Sequence, residues 1–167
     1  MSVALRRVEP QDALAVQLLA ADPAIAATSN VPYPYPTDGG ERFVRASIAS
    51  IQNGAEAVFA VIAEAKLVGI CSLLAIDRFE SVASVGYWIG TPYWSRGYAT
   101  AAVASVVREA RYLGLRRLIA ESLTRNVASR RVLERNEFVV AGECPYHGPW
   151  PERFGTDRCL RYERNAV

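Results

Sequence analysis

Apolar positions recur along the chain with two periods, and the changes of period outline its elements. Val3 to Val8 reads as a first strand. Pro10-Gln11-Asp12 then opens a helix whose apolar set is Ala13, Leu14, Val16, Leu18 and Leu19. The segment from Asn30 to Pro36 is predicted irregular, because Pro32, Pro34 and Pro36 remove donors and bias their predecessors toward extended geometry. Thr37 or Asp38 is the expected cap of a second helix reaching about Ile51. From Ala57 the period turns to that of a sheet. Strands are expected over Ala57 to Ala63 and Leu67 to Ile76, with the polar turn Glu64-Ala65-Lys66 between them, and over Val82 to Ile89, ending at Gly90.

Gly97 to Leu113 carries the clearest helical stripe: Ala99, Ala102, Val103, Val106, Val107, Ala110 and Leu113, with Gly114 as its stop. Arg117 to Leu123 reads as a strand. Asn126 to Asn136 reads as a short helix with Ala128, Val132 and Leu133 inward. Phe138 to Ala141 and Arg158 to Tyr162 are closing strands joined by a loop rich in proline, glycine and aromatic residues. The order β-α-α-β-β-β-α-β-α-β-β predicts an α+β fold with helices packed on a mixed sheet. No repeat, linker or low-complexity tract divides the 167 residues, so residues 1–167 are expected to form one domain.

Composition narrows the function mainly by exclusion. Apolar residues make up 51% of the chain, yet none of that content forms the uncharged run of a membrane span. The start, MSVALRRVEPQDA, lacks the plan of a signal peptide. A soluble, cytoplasmic protein without a membrane partner is expected. Cys71, Cys144 and Cys159 are odd in number and have no paired spacing, so neither a disulfide framework nor a metal site is anticipated. His147 stands alone, which excludes a multi-histidine metal centre and a Ser-His-Asp order. A net charge of +2 gives no reason to expect nucleic acid. Arg125, Arg130, Arg131 and Arg135 fall close together, either as a solvated helix face or as bidentate phosphate contacts.

Chemistry concentrates between Gly90 and Thr100. The segment Gly90-Thr91-Pro92-Tyr93-Trp94-Ser95-Arg96-Gly97-Tyr98-Ala99-Thr100 leaves a strand, turns, and opens the strongest helix. A helix start carries unpaired N–H groups and partial positive charge, and the small residues Gly97 and Ala99 let an anion approach the backbone. A pyrophosphate fits that description, and so does a strand-to-helix turn that is merely well packed. A nucleotide loop of the Gly-Lys-Ser/Thr kind is disfavoured, because no such triplet follows the glycine.

A second segment about 30 residues on decides between them. Gly86-Tyr87-Trp88-Ile89, then Tyr93 to Thr100, then Asn126-x-x-Ser129-x-x-Val132-Leu133-Glu134-x-x-x-Phe138, in that order, resembles the GNAT N-acetyltransferases. The resemblance is closest to the ribosomal-protein N-terminal acetyltransferases of the RimJ/RimL type, and the proline-rich loop from Val31 to Pro36 shares it. It implies a GNAT fold: a mixed sheet of six to seven strands, about four helices, and a fourth strand that splays from the fifth. It also implies acetyl-CoA as cosubstrate, no metal, and an amine acceptor such as a protein N-terminus or a small amine, in a monomer or homodimer.

Residue by residue, Arg96 to Thr100 match the pyrophosphate loop, where the N–H groups of Ser95, Gly97, Tyr98 and Ala99 would hold the phosphates. Trp88 and Ile89 match the end of the fourth strand, whose free backbone groups pair with the pantetheine arm. Asn126 matches the asparagine that bonds that arm, and Ser129 the serine near the thioester sulfur. Three departures stand out: Trp94 opens the loop signature, Ala101 replaces a frequent glutamate, and Glu137 replaces a glycine expected to adopt positive φ.

The reaction implied is direct attack of a primary amine on the thioester. An α-amine, with a pKa near 8, loses its proton far more readily than a lysine near 10.4, so a carboxylate acting through water suffices as base. Ser129 is the expected acid toward the thiolate unless it is only a helix-start hydroxyl. Glu121 is the first candidate base, with Glu143 and His147 as alternatives. A backbone N–H near Ile89 would polarise the carbonyl. Tyr33, Tyr35, Tyr146 and Trp150 either wall the acceptor pocket or cover the core. A domain that binds acyl-CoA as a sensor without turnover is the alternative from another class.

Overall fold

The computed structural model describes residues 3–166. Chain order runs β1 (Ala4–Arg7), a 3-10 turn at Pro10–Asp12, α1 (Ala13–Ala20), α2 (Pro23–Ala26), α3 (Gly39–Asn53), β2 (Ala57–Ala63), β3 (Lys66–Asp77) and β4 (Val82–Ile89). After a 3-10 turn at Thr91–Tyr93 come α4 (Tyr98–Tyr112), β5 (Arg117–Leu123), α5 (Val127–Arg135), β6 (Val139–Pro145), α6 (Pro151–Phe154) and β7 (Arg158–Asn165). The seven strands form one sheet in the order β1-β2-β3-β4-β5-β7-β6. β4 and β5 pair in parallel, and every other neighbouring pair is antiparallel.

Both faces of the sheet are covered. On one face Phe59, Val61, Val85 and Leu118 pack with Val103 and Val106 of α4 and Leu133 of α5. On the other, Val58, Ala60 and Ile70 meet Val16 and Ala20 of α1 and Val44 of α3. β2 sends alternate residues to the two cores, which is why its sequence is an unbroken apolar run rather than an alternation.

The elements expected from the pattern are present, with corrections that have physical causes. Leu14 and Leu18 do not face the core; they are 69% and 68% exposed. α1 lies so close to α3 that a Cβ on Gly40 would stand 2.2 Å from the Ala13 carbonyl oxygen. Backbones at that distance accept only small residues between them, so Val16 and Ala20 turn inward and the leucines turn out. Ala128 is likewise exposed, because α5 is anchored by Leu133 and, in part, Val132. Asp38 holds the cap position of α3 without a cap bond from its side chain. The helices of eight residues or more number four among the described residues, as expected, and α2 and α6 are added four-residue turns. β6 and β7 are longer than their patterns suggested, and β7 inserts between β5 and β6. Glu137 does adopt the left-handed conformation expected where a glycine was missing, with φ 61° and an ion pair to Arg164 at 2.8 Å.

The α1–α3 contact generates a stability test. Gly40→Ala is expected to cost about 1–3 kcal/mol, the range for overpacking a closed contact. Gly142→Ala, whose added Cβ would meet nothing within 4 Å, should be close to neutral. Urea denaturation of the two variants checks this, and equal stabilities would show that the helices slide apart at no cost.

Candidate active site

β4 and β5 run together for only three paired positions: Val82 with Arg117, Ala83 with Leu118 and Ser84 with Ile119. Past Ser84 and Ile119 the strands separate, while β4 stays paired to β3 as far as Ile89 and β5 to β7 as far as Leu123. A cleft of about 1160 Å³ opens in the gap. The Gly90 N–H bonds the Val68 carbonyl at 2.9 Å, and antiparallel pairs alternate, so Gly86, Trp88 and Gly90 address β3. The backbone groups of Tyr87 and Ile89 therefore point into the gap. Trp88, expected to offer free backbone groups, turns them to β3 instead, while Ile89 faces the gap; both residues line the cleft. The indole N–H of Trp94 donates to the Ile89 carbonyl at 2.5 Å and pins the end of β4. That leaves the Ile89 N–H directed into the gap.

At the lip of the cleft α4 begins. Its N-cap, Gly97, has φ 76° and no side chain with which to cap, and the first intrahelical bond runs from Ala101 N–H to the Gly97 carbonyl. The N–H groups of Tyr98, Ala99 and Thr100 thus have no acceptor within the helix. Ser95, Gly97, Tyr98, Ala99 and Thr100 all line the cleft. Arg96 does not: its guanidinium lies 5.8 Å from the centre of the Tyr93 ring, on the exposed side of the loop. Positive charge comes instead from Arg131 and Arg135 of α5, which do line it. Arg125 and Arg130 are committed elsewhere, to Asp157 at 3.0 Å and to the Thr124 carbonyl at 3.2 Å. The arginine cluster thus divides into two cleft residues and two structural ones. Three unpaired helix-start donors, two arginines and an open strand edge fit a pyrophosphate with a long amide-bearing arm.

Ser129 faces the gap from α5. Asn126 caps that helix, its Oδ1 accepting from the Ser129 N–H at 3.1 Å, so the serine hydroxyl is not needed at the helix start. That hydroxyl lies 2.9 Å from the Tyr87 hydroxyl, which also donates to the Ser129 carbonyl at 3.1 Å. Burial pushes the Tyr87 phenol well above its ordinary range, against the opposing pull of the Ser129 bond, so it stays protonated at neutral pH. Sequence reasoning missed this residue. Its signals were its place in Gly86-Tyr87-Trp88-Ile89 and strand alternation, which puts Tyr87 on the α5 face together with Val85 and Ile89.

Glu121 lies on the opposite wall. His147 reaches over from the loop after β6 and sets its Nε2 3.4 Å from the Glu121 carboxylate. Glu143, the other candidate, pairs with Arg158 and does not line the cleft. Cys144 also joins Glu121 and His147: their ligand atoms lie within 4.8 Å of one another. Spacing along one chain segment could not reveal this cluster. The same end of the cleft is closed by ties between distant segments. Tyr146 donates to the Asn30 Oδ1 at 2.8 Å, Trp150 to the Asn30 carbonyl at 2.9 Å, and Arg153 to the carbonyls of Ser29 and Val31 at 3.1 and 3.0 Å. Of the four candidate aromatics, Tyr35 and Tyr146 line the cleft, Trp150 braces it, and Tyr33 is 56% exposed.

The profile of the acetyltransferase (GNAT) domain family matches residues 2–139. The ribosomal-protein-serine acetyltransferase of Escherichia coli (strain K12) is 26% identical over 100 residues, 59% of this chain and 56% of that protein, just over half its length. The solved structure of RimL, a ribosomal L7/L12 α-N-protein acetyltransferase in complex with coenzyme A, superposes with a TM-score of 0.88 at 19% identity, covering 99% of this chain and 94% of that one. Spermidine N-acetyltransferase from Vibrio cholerae, in complex with coenzyme A and spermine, superposes with a TM-score of 0.84 at 18% identity over 99% and 96%. At such identities the two superpositions show a shared fold.

Coenzyme A is expected to raise the melting temperature, by an amount equivalent to about 2.7 kcal/mol at a concentration 100 times its Kd. ATP and NAD at equal concentration should do much less. Gly97→Ala should keep a reduced shift, because its Cβ is strained at positive φ by about 1–2 kcal/mol. Gly97→Glu should lose it, because a carboxylate then stands at the phosphate seat. A folded Gly97→Glu variant with a full coenzyme A shift would place the seat elsewhere.

Proposed function

Because the chain belongs to the acetyltransferase (GNAT) family and is by that membership an acetyl-CoA-dependent N-acyltransferase, we propose that its acceptor is a protein or peptide N-terminal α-amine, acetylated by direct attack with both substrates bound. The observation that carries this choice is the charge of the cleft. Among the described residues Glu121 is the one carboxylate lining it. A polyamine carries several ammonium groups and needs several carboxylates to replace their hydration. One α-amine needs one. The ribosomal-protein acetyltransferases among the relatives agree with that reading.

Acetyl-CoA supplies an activated acetyl group on a thiol that leaves readily. The chain's part is binding, orientation and proton handling. The N-terminus of α4 seats the phosphates, and the exposed edge of β4 aligns the pantetheine arm. The Asn126 Nδ2, which has no partner among the described residues, donates to that arm. The Ile89 N–H polarises the thioester carbonyl. Glu121, with His147 beside it, takes the proton of the attacking amine, directly or through a water. Ser129 gives a proton to the departing thiolate and recovers one from solvent, its hydroxyl held in place by the Tyr87 hydroxyl at 2.9 Å.

Two measurements test this. In an acceptor panel with acetyl-CoA, kcat/KM should be higher for a peptide with a free N-terminal serine than for spermidine, and the reverse order would overturn the acceptor assignment. Ser129→Ala should lower kcat about 100-fold, the low end for general acid catalysis, with little change in acetyl-CoA affinity. Tyr87→Phe should fall in the same direction but less. Asn126→Ala should act mainly on the KM for acetyl-CoA. Full turnover in Ser129→Ala would return the serine to a purely structural role.

A further inference from the structure

Cys144 takes no part in the reaction above, yet it stands with two residues that do. Glu121 comes from β5, Cys144 from β6 and His147 from the loop that follows, and their ligand atoms lie within 4.8 Å of one another at the acceptor end of the cleft. We propose that these three side chains form a zinc site whose occupation silences the acceptor base.

One edge of the cluster matches a tetrahedral centre. Zinc bonds to imidazole nitrogen and carboxylate oxygen are each about 2.0–2.2 Å, so at a tetrahedral angle the N···O edge is about 3.3–3.5 Å. The observed separation from His147 Nε2 to Glu121 Oε2 is 3.4 Å. The other ring nitrogen, Nδ1, faces the Pro145 carbonyl at 3.4 Å. A carbonyl only accepts, so with the proton on Nδ1 the lone pair of Nε2 is free for a metal. A nitrogen, a carboxylate oxygen and a sulfur then lie within reach of one cation.

The donor set selects the ion. One nitrogen, one sulfur and one oxygen suit zinc, whereas magnesium and calcium require oxygen ligands throughout. On binding, the Cys144 thiol releases its proton to solvent as the metal–sulfur bond forms. Three protein ligands leave a fourth position for water. Zinc held there occupies both Glu121 and His147, so neither can accept the proton of an incoming amine. That consequence rests on the catalytic assignment of Glu121 and His147 above; the site itself does not.

Cobalt(II), a coloured stand-in for zinc, tests the site without reference to activity. Titrated into the reduced full-length protein, it should give a thiolate-to-cobalt charge-transfer band that zinc displaces. Cys144→Ser should abolish the band and weaken zinc binding at least tenfold, while Cys159→Ala, at the residue paired with Cys144 across β6 and β7, should keep it. Circular dichroism reports whether each variant is folded. No band in the wild type, or a band that persists in Cys144→Ser, overturns the site. Zinc should also lower turnover of an N-terminal peptide in the wild type but not in Cys144→Ser. A normal cobalt band with turnover unaffected by zinc would leave the metal site standing and overturn the silencing together with the base assignment.

Discussion

The rest of the structure depends on the parting of β4 and β5 after three paired residues. A strand edge left without a partner in a sheet interior is costly, because each buried backbone group without a hydrogen bond forfeits what water gave it. Here the fold holds that edge open. Trp94 occupies the last carbonyl of β4 and the Tyr87 side chain is bound beneath α5, so β4 is braced from its loop and from a helix instead of from β5. What remains is a short edge shaped for an extended, amide-bearing guest. In the proposed reading the pantetheine arm of the ligand completes the missing ladder.

Everything on the donor side is aimed along that edge. α4 starts at the lip of the gap, with its N-cap position held by a glycine that leaves the first N–H groups uncapped. α5 crosses on the same face and brings Arg131, Arg135 and Ser129 to the cleft within two turns. Its cap is internal, from Asn126, which sets the serine hydroxyl loose from the helix start and toward Tyr87. A strand, a loop and two helices thus meet around one line. Chemistry and packing are separated there by a single helical turn.

The acceptor side is built by a different kind of force. Its walls come from the loop before α3 and the loop around α6, segments about 120 residues apart, and side chains join them through backbone carbonyls. Arg153 also lies 4.6 Å from the Phe154 ring, so the guanidinium both bonds a loop and covers a small aromatic core. Such ties are made by irregular backbone whose polar groups need partners. Loops of this sort can vary in shape while the sheet behind them does not.

Local periodicity and turn chemistry by themselves determined the elements. The stripe from Ala99 to Leu113, the breaks at Gly90 and Gly114 and the alternation of the strands are statements about neighbours along the chain, and neighbours decide helix or strand. The proposed donor site was legible for the same reason: its chemistry is assigned to the backbone of Gly97 to Thr100, which their identity and order specify. Even the φ at Glu137 could be read, since a glycine missing from its place leaves the turn it served. Tertiary structure alone decided the rest. It turned Leu14 and Leu18 outward, because a closer helix contact at Gly40 outweighed their burial. It slipped β7 between β5 and β6, took Arg96 away from the phosphate seat, and assigned the cleft-facing backbone to Tyr87 and Ile89 by ladder parity. It also joined Ser129 to Tyr87 and gathered Glu121, Cys144 and His147 from three elements. Those contacts act through side chains far apart in sequence, and no local pattern encodes which distant side chain will be met.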